Sequence, residues 1–139
     1  MDYSTFTNRN FFIKQNSTLP EIKFALTEKI REKYDITDDM LENVAVTFSM
    51  IDEETGLYRI ANVPANLDIK RDRSQHPDEV EYTLSYRMKL SQTKKTGRFR
   101  GEFKLDFIGE EGNCGKITLP TEDVINIIIS PSITKTTVI

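Results

Sequence analysis

Tryptophan is missing from this sequence altogether, and cysteine and histidine occur once each, as Cys114 and His76. One cysteine excludes an internal disulfide, and one cysteine with one histidine cannot assemble the usual Cys/His zinc site within a single chain. No apolar run approaches the roughly 20 residues that span a bilayer. The amino terminus, "MDYSTFTNRNFF", has no positive segment followed by an apolar one, so synthesis in a cytoplasm without a secretory signal is expected. An excess of one charge is missing too. Nineteen Lys and Arg against 22 Asp and Glu leave a formal charge of −3, which supplies no pull toward nucleic acid or an anionic membrane.

Catalytic signatures are equally scarce. There is no G-x-S-x-G, no phosphate-cradling G-x-x-x-x-G-K-[ST], no H-E-x-x-H and no dinucleotide fingerprint. His76 stands in a charged loop before Pro77, and Cys114 lies between Asn113 and Gly115, each without a neighbour suited to activating it. The acidic stretches "DEET" and "GEEGN" lack the alternating oxygen spacing of a calcium loop and read as solvated turns. The basic cluster "KLSQTKKTGRFR" reads as a turn and a strand face in water. Neither an enzyme, a cofactor nor a metal site is expected, although carboxylates paired in space cannot be located from sequence.

What is present is alternation. In "GRFRGEFKLDF", residues 97–107, Phe99, Gly101, Phe103, Leu105 and Phe107 share one parity and Arg98, Arg100, Glu102, Lys104 and Asp106 the other. Such a strand lines a core with one face and meets water with the other. Gly101, within the apolar row, marks a bulge or a close crossing. "VAVTFSMI" (44–51) and "VEYTLSYRM" (80–88) alternate in the same way. "DEETG" supplies a turn with Gly56 placed for a positive φ, and "LYRIANV" returns as the hairpin partner. Further strands are expected at 11–14, 21–26 and 66–70 and in "KITLP", and "VINIIIS" reads as a closing strand buried on both faces. The connection 27–43 is charged, with Thr37 as the N-cap of one short helix over "DDMLEN".

About seven to nine short strands, regular turn signals and almost no helix predict an all-β, immunoglobulin-like antiparallel β-sandwich. The expected division is an amino-terminal arm over 1–10, the sandwich over 11–130, and a tail or extra strand over 131–139.

The order "FFIKQNSTLPEIKFAL", "DIT…VAVTFSMIDEETG", "VEYTLSY", "TGRFRGEFKLDF" and "KITLPTEDVINIIIS" resembles the immunoglobulin-like amino-terminal domain of phage upper-baseplate proteins. The matching places are Thr18-Leu19-Pro20, Asp35-Ile36-Thr37, Asp52 to Gly56, Gly97 to Phe107 and Thr118-Leu119-Pro120, so the likeness covers about residues 11–130. The family's glycine after its Asp-Leu-Thr step is replaced here by the longer "DDMLEN", and the loop 64–79 is expanded. Family members continue into further modules, whereas this sequence ends about ten residues after its last strand, which shifts the expectation from fibre anchor to stand-alone virion component.

The resemblance implies a non-enzymatic virion structural protein, an adaptor or decoration docked on a larger capsid, tail or baseplate protein, made in the host bacterium's cytoplasm. Its partners would be other virion proteins, with homo-oligomers in the assembled particle, and neither nucleic acid nor membrane. Unpaired terminal strands recruit neighbours, so Tyr3, Phe6, Ile133, Val138 and Ile139 are the expected contacts. The alternative is a carbohydrate-binding module that attaches to host glycans through the loops 64–79 and 108–115.

Overall fold

In a computed structural model, residues 10–71, 80–108 and 115–133 are described. Among these described residues, nine strands run in the order β1 (Asn10–Lys14), β2 (Ile22–Ala25), β3 (Val44–Asp52), β4 (Tyr58–Pro64), β5 (Asn66–Arg71), β6 (Val80–Tyr86), β7 (Gly97–Phe107), β8 (Gly115–Leu119) and β9 (Ile125–Ser130). They form two sheets. One has the order β1-β9-β7-β3-β4 with β8 also paired to β7, and the other has the order β2-β6-β5. Three strands facing a G-F-C-C′-like set is the arrangement of an immunoglobulin-like sandwich. The all-β expectation therefore holds, with one addition: β1 runs parallel to β9, from Asn10 opposite Asn126 to Lys14 opposite Ser130, while the other pairings are antiparallel.

Alternation decides which side of each strand is buried. Val46, Phe48 and Met50 of β3, Phe99, Phe103, Leu105 and Phe107 of β7, and Ile125, Ile127 and Ile129 of β9 point inward and are all buried. They meet Tyr82, Leu84 and Tyr86 of β6 and Ile22 and Phe24 of β2 in one cluster. Phe48 joins the layers: its ring stacks on Tyr86 of the opposite sheet at 4.7 Å between centroids and tilts against Phe103 at 5.0 Å. Each such aromatic, taken from water, contributes about 1.5–3 kcal/mol. The reading of "VINIIIS" as buried on both faces is corrected in part, since the outer residues Asn126, Ile128 and Ser130 are only half-buried.

Two local devices shape the sandwich. At Ala65, whose N–H donates to the Val46 carbonyl at 2.9 Å, the chain leaves the larger sheet as β4 and enters the smaller one as β5. Opposite the long β7, β8 and β9 are two halves of one interrupted strand: Leu119 faces Phe103 and Ile125 faces Gly101, so residues 120–124 loop out against Glu102 alone. The 27–43 connection holds two helices where one was expected, α1 (Glu28–Lys33) and α2 (Asp38–Glu42). Thr37 caps α2 by accepting from the Met40 N–H, as its position in the sequence predicts. A 3₁₀ turn, Leu90–Thr93, precedes β7, and its buried Thr93 donates to the Ser17 carbonyl, tying that turn to the β1–β2 loop.

Candidate functional site

The outer face of the larger sheet is built by register. Across it, Asn126 of β9 faces Arg100 of β7, Arg100 faces Ile51 of β3, and Ile51 faces Tyr58 of β4. One row further along, Glu102 faces Ser49, and beyond that Thr118, Lys104, Thr47 and Pro64 stand in line. The β4 edge is irregular. Asn62 takes a positive φ of 49°, and its N–H donates to the Ser49 hydroxyl at 2.9 Å. That bond satisfies a serine buried by its neighbours, and the bulge lifts Tyr58 and Asn62 out of simple alternation.

A shallow groove of about 310 Å³ crosses this face. Its floor is Ser49, Ile51, Arg100 and Glu102, with Tyr58 on one side and Pro120, Asp123 and Val124 of the looped-out segment on the other. Tyr58 is 62% exposed, so its ring is an open wall and not part of the core. The opposite wall is braced from α1. Lys33 Nζ lies 2.6 Å from Glu122 Oε2, and the hydroxyls of Tyr34 and Thr121 are hydrogen-bonded. The bond to Glu122 holds the Lys33 ammonium above its ordinary pKa. Within the floor, Arg100 leans away toward Glu53 at 3.7 Å, and Lys104 reaches Asn62 Oδ1 at 3.4 Å.

Neither a family model, nor a curated protein, nor a solved structure matches this chain.

Of the expected contact residues, Ile133 lies beyond β9 with 90% of its surface exposed. Tyr3, Phe6, Val138 and Ile139 fall outside the described residues, as do His76, Cys114 and most of the loops proposed for glycan binding, 72–79 and 109–114. The structure therefore places Ile133 in the open and leaves it apart from the groove. Among the described residues, no group of three or more His, Cys, Asp or Glu side chains is arranged to share a metal ion. The acidic turn after β3 is occupied internally: Asp52 accepts from Lys95 Nζ at 2.6 Å and from the Glu54 N–H at 2.9 Å.

Sequence reading missed the groove. Its walls belong to segments 40 or more residues apart, and the looped-out wall exists only because β8 and β9 share one edge of β7. The one legible signal was the charged parity of β7, which supplies Arg100 and Glu102.

Proposed function

We propose that this chain is a non-enzymatic structural protein of a bacteriophage particle, an adaptor or decoration that docks on a larger capsid, tail or baseplate protein. The observation that carries docking is the β1 edge. Among the described residues, β1 pairs only with β9, and no strand lies along its other edge. Phe12 on that strand is 68% exposed, and Ile133, just past its neighbour β9, is the most exposed of the described large apolar residues. A free edge flanked by exposed apolar side chains is a template for an added strand of a partner. The phage setting is supported by the family resemblance of residues 11–130.

Gold-antibody labelling of purified particles is the test. Label confined to head, tail or baseplate is expected, and particles assembled with Phe12→Asp should lose most of it while the free protein stays folded. Unlabelled particles would overturn the reading.

The groove favours a second reading, glycan attachment, because an exposed tyrosine beside Arg100, Glu102 and Asp123 offers a ring face to a sugar and polar groups to its hydroxyls. Saturable binding to a glycan array, lost in Tyr58→Ala, would select it over assembly.

A further inference from the structure

The charged parity of β7 has an order that core formation does not require. Along the outer face its side chains run Arg100, Glu102, Lys104, Asp106, plus and minus in strict turn. Reversing this series exchanges every sign. Two copies related by a two-fold axis over Phe103 would bring Arg100 opposite the partner's Asp106 and Glu102 opposite the partner's Lys104, each contact made twice.

We propose that the outer face of the larger sheet is a homodimer interface, with this stripe fixing its register. The stripe finds few partners at home. On the β3 side its neighbours in register are Ala45, Thr47, Ser49 and Ile51, none charged. On the other side Asn126 faces Arg100, Thr118 faces Lys104, and only Lys116, opposite Asp106, carries a charge. Among the described residues no ion pair within 4.0 Å involves Glu102, Lys104 or Asp106, and the pair Arg100–Glu53 is loose at 3.7 Å.

Geometry is favourable. Alternate residues of a strand are about 7 Å apart, so successive charges are spaced widely enough to interleave with a facing copy. The flanking Ala45, Thr47 and Ser49 are short, so β7's long side chains stand above the β3 side of the sheet. Five strands about 4.8 Å apart and between 5 and 11 residues long present roughly 600 Å² in projection, the lower end of what one partner gives to a stable interface. Exposed Tyr58 and half-buried Ile51 and Ile128 add apolar area near the stripe. Arg98, one step beyond the series, falls opposite the partner's Ile108 and neither helps nor opposes. This dimer is independent of docking at β1, which lies at the sheet's margin.

Sedimentation of the full chain over a range of concentrations tests it. The wild type is expected to dimerise, at least tenfold more weakly in about 0.5 M salt, because Arg100 is exposed and Glu102, Lys104 and Asp106 are only half-buried, so salt screens their attraction. An all-negative variant, Arg100→Glu with Lys104→Glu, and an all-positive one, Glu102→Lys with Asp106→Lys, should each be monomeric where the wild type is dimeric. An equimolar mixture of the two should recover the dimer. Circular dichroism establishes that each variant is folded, and the salt series on the wild type needs no variant at all. A wild-type monomer at several hundred micromolar, association indifferent to salt, or folded variants that fail to pair on mixing would overturn the proposal.

Discussion

Asp52 closes β3 with a carboxylate that is only 7% exposed and must be satisfied where it stands. Lys95 and the Glu54 N–H do so. The hydrogen bond from Lys95 holds the Asp52 carboxyl below its ordinary 3.8, outweighing burial, which acts in the other direction. The same bond lifts Lys95 above its ordinary 10.5. A carboxyl whose pKa is lower folded than unfolded stabilises the fold fully above the unfolded value and loses that contribution as pH falls through the folded one. The Asp52 contribution should therefore be constant from pH 7 to 5, begin to fall below about 4 and vanish only as the pH drops through the lower folded value. Urea midpoints of wild type and Asp52→Asn are expected to differ at neutral pH and converge in acid. A gap that persists to pH 2 would assign the effect to shape and not to charge.

The elements differ in how plainly the sequence announces them, and period explains why. β3, β6 and β7 repeat every two residues with few exceptions, so their faces could be assigned directly. α1 could not. Charge dominates "TEKIREKYD", and only Ile30 and Tyr34, four apart, mark the side that rests on the core. A helix of six residues is unstable alone, so its existence depends on contacts that local sequence does not contain. The split of β8 from β9 was hidden for a similar reason, because collinearity is visible only against the full length of β7. α2 offers a way to separate local from tertiary support. Thr37→Ala removes the cap and should cost about 1 kcal/mol. Leu41, 2% exposed at the helix's inner side, should cost about 2–5 kcal/mol on change to Ala. Urea unfolding that ranks the two the other way would mean the connection is held by its caps and not by the core.

At the scale of the molecule, the sandwich was legible because one parity of nearly every strand is apolar, but its closure was not. The parallel pairing of β1 with β9 joins residues more than 110 positions apart, and nothing in either segment names the other. Gly101 shows how such long-range facts decide a local question. From sequence it marked either a bulge or a close crossing. The register of β3 against β7 runs unbroken through Met50 opposite Gly101, so on that side it is a close crossing. A Cβ there would lie 2.8 Å from Phe48 Cζ and 3.0 Å from Ile127 Cδ1. The Phe48 ring has little room to retreat, because it is already stacked on Tyr86 across the layers and packed on Phe103. Gly101→Ala should therefore cost about 1–3 kcal/mol through overpacking. If Phe48 is the obstacle, shortening it to Leu makes room, and the same Ala in the Phe48→Leu background should cost less by about 0.5–3 kcal/mol. Urea midpoints of the four proteins in this cycle measure the coupling. Additive costs would place the obstruction at Ile127 instead, and the link between the two layers would then run beside Gly101 and not through it.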